Sequence, residues 1–168
     1  MSLRRADAIA LIAPYLRGEV TLAYAIGAVR RVAKDRSFAN VAKELLGSVA
    51  DGVETPTHGM GTAWFDFGRA VALTPSRLIV VGWQRRYTGA FSAPVLVPRE
   101  ALEVAPNELR ARGITATHGT GVLGPFARID FDEGAHIVQC DLAPLPGDRD
   151  NGAAGYEIAA RIAAALSG

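Results

Sequence analysis

The chain has 168 residues, of which 21% are charged and 49% apolar, the composition of a globular protein rather than a disordered one. Lys and Arg number 18 against 17 Asp and Glu, so no strong positive field exists and a nucleic-acid partner is not expected. The single cysteine, Cys140, excludes an internal disulfide and favours a cytoplasmic setting. Asp7 interrupts an N-terminal apolar run, which we do not interpret as a signal peptide, and no stretch reaches the ~18 apolar residues of a membrane-spanning helix.

The first 47 residues carry a helical pattern. A first helix is predicted after Ser2, which can cap it, and ends at Arg17-Gly18. A second is predicted for Glu19–Asp35, because its first turn is acidic and its last turn basic, as the helix dipole favours. Its small side chains would allow close helix–helix contact, within the chain or across a homodimer. A third helix is predicted for Ser37–Leu46.

The clearest break in composition lies at residues 47–61, which contain four glycines and a proline. Such a segment is typical of a loop or linker. We therefore predict a boundary there, between an N-terminal helical segment (residues 1–50) and a second domain (residues 60–168).

From residue 62 onward the pattern changes to short strands separated by turns. Thr74-Pro75-Ser76 predicts a tight turn, because proline fixes φ at the value that the turn needs. Asp132-Glu133-Gly134 predicts a second, and Gly155–Leu166 predicts an amphipathic closing helix. The predicted strands are Thr62–Phe67, Ala70–Leu73, Arg77–Trp83, Val95–Val97 with Leu102–Val104, Ile114–His118, Phe126–Phe131 and His136–Leu142.

Several of these segments resemble bacterial PH-like domains (pleckstrin-homology-like, including the GRAM type). Ala70–Val81 is similar to the Leu-Thr-x-x-Arg-Leu hairpin of that family, and Val95–Val104 is similar to the strand-turn-strand that follows it. The resemblance covers roughly residues 60–168 and implies an antiparallel split barrel closed by a C-terminal helix. Together with the N-terminal helical segment, this gives an α+β fold class. The family implies binding of lipid headgroups, peptides or protein partners, and no shared chemistry.

No sequence motif for catalysis, a cofactor or a metal is complete. Residues 119–124 match Gly-x-Gly-x-x-Gly, but Pro125 and a predicted strand follow in place of the helix that would bind a pyrophosphate. We interpret this segment as a flexible loop. Cys140 lies in a predicted strand, which is typical of a buried thiol. No ligand spacing relates the three histidines, His58, His118 and His136.

The candidate binding residues are Trp83, Arg85, Arg86 and Tyr87, which we place in an exposed loop between two strands. Arginine binds phosphate or carboxylate through two hydrogen bonds, and aromatic rings suit an interface. The simpler alternative is a solvated turn whose aromatic rings pack on the barrel.

The sequence therefore predicts a non-catalytic binding or adaptor module, without cofactor or metal. Its expected partner is a protein or peptide, or else an anionic ligand or lipid surface, with self-association through the N-terminal helices. Two alternatives stay open. One is a carrier that holds a small apolar ligand in the barrel, and the other is a hydrolase whose site only the fold brings together.

Overall fold

Residues 3–34 and 66–168 are described by the computed structural model of the chain. Within these residues seven strands form one antiparallel sheet in the order β4-β3-β2-β1-β7-β6-β5. The predicted α+β class, with a C-terminal helix against an antiparallel sheet, is confirmed. In chain order the elements are α1 (Arg5–Leu16), β1 (Ala23–Ala33), β2 (Phe67–Leu73), β3 (Leu78–Arg86), β4 (Val95–Val104), a short 3-10 turn (Pro106–Glu108), β5 (Ile114–Gly121), β6 (Gly124–Glu133), β7 (His136–Leu142) and α2 (Asp150–Ser167).

Strand β1 lies at the centre of the sheet, and the predicted second helix over Glu19–Asp35 is wrong. Residues 23–28 pair with β2, and residues 28–33 pair with β7. Side chains alternate along it: Ala23 and Ala25 face the core under α2, whereas Tyr24 and Ile26 face the core under α1. This two-residue period is that of a strand. The small-residue face therefore cannot serve helix–helix contact.

Helix α1 confirms the first predicted helix, with Arg17 in the left-handed conformation at its end (φ 51°). The helix begins at Arg5, so Arg4 rather than Ser2 is its N-cap residue, and the Arg4 N–H donates to Asp7 Oδ2 at 2.8 Å. Ser2, the predicted third helix and the predicted boundary at residues 47–61 lie outside the described residues. The division into two domains stays a prediction. Within the described residues, β1 is hydrogen-bonded into the same sheet as the strands that follow residue 66.

The sheet is covered by a helix on each face. Helix α1 packs on β1, β2 and β3, and its Leu11 and Ile12 are buried there with Ile79. Helix α2 packs on β1, β5 and β6 from the other side, with Ile158 and Ile162 fully buried. Each such side chain stabilises the fold by about 1.5–3 kcal/mol relative to an exposed one.

The predicted strands after residue 66 are found, with shifted ends. Strand β3 continues to Arg86, the two halves of β4 form one strand, and β6 begins at Gly124. Helix α2 begins at Asp150, five residues before the predicted start at Gly155. The glycines of its first turns do not end it; a Cβ at Gly155 would lie 2.4 Å from Leu142 Cβ, so glycine lets the helix approach β7 closely.

Asn151 joins α2 to the middle of the sheet. It is 0% exposed, and its Oδ1 accepts the Ile26 N–H at 2.8 Å. Its Nδ2 donates to Ile26 O at 2.9 Å and to Ala143 O at 2.8 Å. Ile26 lies beyond the last β1–β7 pair, so the side-chain amide of Asn151 pairs with backbone groups of β1 that β7 does not reach.

Candidate functional site: an apolar cleft at the end of the sheet

The four predicted binding residues do not share one surface. The expected exposed loop is wrong for Trp83 and Arg85, because β3 continues to Arg86 and these two side chains are 1% and 6% exposed. Arg86 and Tyr87 are exposed, as is Phe91 further along the loop. Arg86 and Tyr87 thus remain available at the surface, whereas Trp83 and Arg85 are not available to a partner.

Strand alternation explains why Trp83 is buried. It follows Ile79 and Val81 on the α1 face of the sheet at a spacing of two. Its ring lies against Gly68 of β2, where a Cβ would be 2.2 Å from Trp83 Cζ2. The predicted strand Arg77–Trp83 already contained this alternation, and its extension to Arg86 also makes Arg85 a strand residue.

An apolar cleft of about 400 Å³ opens at one end of the sheet. It lies where the β2–β3 hairpin, the last residue of β4 and the last turns of α2 meet. Its floor consists of buried or half-buried apolar side chains, and the same core continues behind them. These floor residues are Leu73, Leu78, Val104, Leu109 and Ile162.

The rim of the cleft is mostly apolar, and Thr74 and Arg161 are the polar residues among the described residues that line the cleft. Leu22, Pro75, Pro106 and Ala165 contribute hydrocarbon. Arg161, one turn before Ala165 on α2, is the one charged residue among the described residues that line the cleft. The arrangement suits an apolar group that carries an anionic end.

Arg161 is only weakly engaged. Its Nη2 lies 3.7 Å from Glu157 Oε1, one turn earlier on α2, and both side chains are about half exposed. Such an exposed i,i+4 pair contributes about 0.3–0.5 kcal/mol. The guanidinium can therefore turn to an anionic ligand group at small cost.

Hydrogen bonds within the β2–β3 turn hold the hairpin that borders the cleft. The predicted turn at Pro75 is confirmed: Thr74 N–H donates to Arg77 O at 2.9 Å, and Thr74 Oγ1 accepts the N–H groups of Ser76 and Arg77. These hydrogen bonds all join residues within three positions of Thr74, so the local sequence specifies the turn that borders the cleft.

The side chain of Arg77 joins the β2–β3 hairpin to α1 by hydrogen bonds. It donates to Tyr15 O at 2.7 Å and to Leu16 O at 3.1 Å, and it pairs with Glu19 at 2.8 Å and with Glu103 of β4. A hydrogen bond from Ser76, and then the one from Arg77, lower the pKa of Glu19. These contacts fix the hairpin that contributes Pro75 to the rim and Leu78 to the floor of the cleft.

The space between the sheet and α2 is filled by side chains. Ile129, Cys140, Leu142 and Ile158 are all 0% exposed. Burial raises the pKa of the Cys140 thiol to about 12, so no thiolate forms at neutral pH. Cys140 is a small buried side chain of the core, as predicted from its place in a strand.

The glycine-rich segment 119–124 is not the flexible loop that we predicted. It forms the end of β5 and the start of β6, which pair up to Gly121 and Gly124 around a two-residue turn. Phe126 lies across this hairpin, since a Cβ at Gly119 would be 3.0 Å from its Cζ. Glycine is needed there for close packing rather than for mobility.

The histidines that the structure describes have separate positions. The His118 ring packs edge-on against Tyr156 of α2 at 4.6 Å, and His136 begins β7. His58 lies outside the described residues. Within residues 3–34 and 66–168, no three His, Cys, Asp or Glu side chains come together in a group able to hold a metal ion.

Comparisons of this chain with protein-family models, with curated proteins and with solved structures gave no match. Among the helices described, none is both long enough and apolar enough to span a bilayer. The cleft was missed by the sequence reasoning because its walls come from distant parts of the chain. The one local feature of the sequence that could have pointed to the cleft was Arg161, a single charged residue in the Ala-rich last turns of α2.

Proposed function

We propose that the protein is a non-catalytic, cytoplasmic binding module that holds an apolar group with an anionic end in the cleft. We also propose a PH-like split barrel as its fold. The strand order, with β4 and β5 at the two edges and a helix against the sheet, supports this proposal. Because such a fold hosts many functions, it does not by itself assign one to this chain.

The observation that carries the proposal is the combination of an apolar cleft with a single cation at its rim. A volume of about 400 Å³ lies within the range of small-molecule sites. Burial of ligand hydrocarbon on Leu73, Leu109 and Ile162 supplies affinity at about 25 cal/mol per Å². Arg161 selects a ligand whose carboxylate, phosphate or sulfonate lies next to that hydrocarbon.

The same two features fit the other partners expected from the sequence. An acidic peptide with an apolar side chain beside its carboxylate presents the same chemistry. The alternative expected from the sequence, a carrier of a small apolar ligand, would use the same cleft for a ligand that has no anionic end. Because side chains fill the space between the sheet and α2, the carrier's ligand would bind in the cleft at the end of the sheet.

Two fluorescent probes test the proposal: 8-anilinonaphthalene-1-sulfonate, which is apolar and anionic, and N-phenyl-1-naphthylamine, which lacks the sulfonate. Ala165 is exposed and lines the cleft, so A165F should fill it and abolish the binding of both probes. Its neighbour Ala164 is exposed but does not line the cleft, and A164F is the matched control. We expect A164F to bind both probes as the parent chain does.

Arg161→Gln separates the two parts of the site. We expect it to weaken the sulfonated probe about 5-fold, since an exposed charge-assisted hydrogen bond contributes about 1 kcal/mol. The neutral probe should bind R161Q and the parent chain equally. If A165F binds both probes as the parent chain does, the cleft is not the ligand site. If R161Q weakens both probes equally, Arg161 does not select an anionic group.

A further inference from the structure

The two edges of the sheet are protected very differently. Edge strand β4 carries Pro98, Arg99, Glu100 and Glu103, and its pairing with β3 shifts register between Val81 and Trp83. Proline, charge and a bulge are the devices by which a sheet edge avoids pairing with another chain. The β4 edge is therefore closed to a further strand.

Edge strand β5 has none of these devices. No charged residue occurs in the sequence between Arg112 and Arg128, and β5 itself contains no proline. Among the described residues β6 is its one paired neighbour. The side chains of Thr115, Thr117 and His118 are exposed. The first of the backbone groups that point away from β6, the Ile114 N–H, donates to Leu109 O at 3.0 Å. Beyond it, alternate N–H and C=O groups along this edge point away from β6 and can pair with an added strand.

The β5–β6 hairpin also projects beyond the rest of the sheet. Pairing between β6 and β7 stops at Ala127, whereas pairing between β5 and β6 continues to Gly121 and Gly124. At the turn, Val122 is fully exposed (104%) and Leu123 is half exposed (49%). An uncharged edge of this kind, which ends in exposed apolar side chains, is open to an added strand.

We infer that β5 pairs antiparallel with β5 of a second copy of this chain, which joins two sheets into one across a two-fold axis. A strand without charges can face itself, because no like charges oppose each other. Pairing centred on His118 would set Ala116 of one copy opposite Thr120 of the other, and the exposed turn of each copy would lie beside the start of β5 in its partner. This interface replaces the helix–helix contact that the sequence suggested for self-association.

The expected dimer is weak. One strand pair and two hairpin turns form an interface at the small end of the observed range, for which micromolar dissociation constants are typical. No residue of β5 lines the cleft. Dimer formation and probe binding can therefore be measured and lost independently of each other.

Sedimentation equilibrium of the full chain, from low to high micromolar concentration, tests the inference. We expect a monomer–dimer equilibrium in the parent chain. Thr117→Lys places two lysines near the two-fold axis and should raise the dissociation constant at least tenfold. Ala101→Lys is the matched control on the β4 edge, where the side chain is also exposed, and should leave the constant unchanged. Matching melting temperatures would show that both variants fold.

A cross-link gives a second readout. Directly opposed residues in an antiparallel pair have Cα atoms about 4.5–5.5 Å apart, which a disulfide can bridge. His118→Cys should therefore form a disulfide-linked dimer on mild oxidation, and Ala101→Cys should not. The native Cys140 is buried and does not compete. A parent chain that stays monomeric throughout, or A101K weakening the dimer as much as T117K, would overturn the inference. A parent chain that stays monomeric while an added peptide pairs with β5 would also overturn the inference, because the edge would then bind a foreign strand.

Discussion

Replacing Asn151 by alanine should destabilise the protein more than its small loss of volume suggests. The side chain is 0% exposed and satisfies three backbone groups: the N–H and C=O of Ile26 and the C=O of Ala143. Alanine leaves all three buried without a partner, at about 1–3 kcal/mol each. Because local relaxation recovers part of this, we expect the free energy of unfolding to fall by about 4 kcal/mol.

Urea unfolding followed by circular dichroism measures this loss. With a slope of about 2 kcal/mol per M, the midpoint should fall by about 2 M. Glu157→Ala, exposed on the same helix, is the control and should stay within about 0.5 kcal/mol of the parent chain. A loss below about 1 kcal/mol in N151A would show that the three groups find other partners, and would refute the role of Asn151 in completing β1.

Asn151→Asp tests the same hydrogen bonds through the pH dependence of stability. Its carboxylate can still accept the Ile26 N–H, but it faces the carbonyl oxygens of Ile26 and Ala143 where Nδ2 now donates. Folding should therefore raise the pKa of the introduced acid, because the protonated form can donate to one carbonyl. Stability is then lowest above the folded pKa and recovers as pH falls. Equal stability of N151D at neutral and acidic pH would contradict this account.

Three further predictions concern the core and the outer face of the sheet. Desolvation raises the pKa of the Asp130 carboxyl group in the folded chain. The ionised carboxylate therefore lowers the stability of the fold at every pH above the pKa that this group has in the unfolded chain. D130N should raise the melting temperature at neutral pH and lose that gain by about pH 3. Gly155→Ala should cost about 1–3 kcal/mol in urea unfolding, because its Cβ would lie 2.4 Å from Leu142 Cβ, whereas Ala153→Gly at an exposed position should cost about 1 kcal/mol or less. Cys140, with a pKa of about 12, should react with a thiol reagent only at the rate of unfolding, and fast labelling of the native chain would show that the core opens locally.

Features that depend on neighbouring residues could be predicted from the sequence. The turn at Pro75 is made by Thr74 and by backbone groups within three residues of it. The amphipathic pattern of α2 is likewise local, and Ile158 and Ile162 occupy its buried face. In each case one short segment contains both the signal and the contacts that produce the structure.

The cleft could not be predicted in this way. Leu73, Val104 and Ile162 come from a hairpin, a strand end and a helix far apart in the chain, and only the strand order brings them together. The buried state of Arg85 likewise depends on how far β3 extends. Composition suggested an exposed aromatic and basic patch because it does not distinguish a residue at a loop from one near the end of a buried strand.

Strand β1 shows why a central strand can resemble a helix in sequence. A strand with one wet face alternates between apolar and polar residues, but helices cover both faces of β1 over its first half. Its residues there are therefore all apolar, and close packing selects small ones: a Cβ at Gly27 would be 2.0 Å from Asp141 O. A run of small apolar residues is also what a closely packed helix carries.

The basic residues at the end of β1 also made this strand resemble a helix in sequence. There the strand extends past its pairing with β2 and pairs with β7. Arg30 is exposed and bonds to Gln139 of β7 at 2.7 Å, and Lys34 pairs with Asp132 at 2.5 Å. A helix would use such charges to offset its dipole, whereas here they lie where β1 becomes exposed. The observation that separates the two cases is the pairing of Ala28, which has Gly68 on one side and Asp141 on the other.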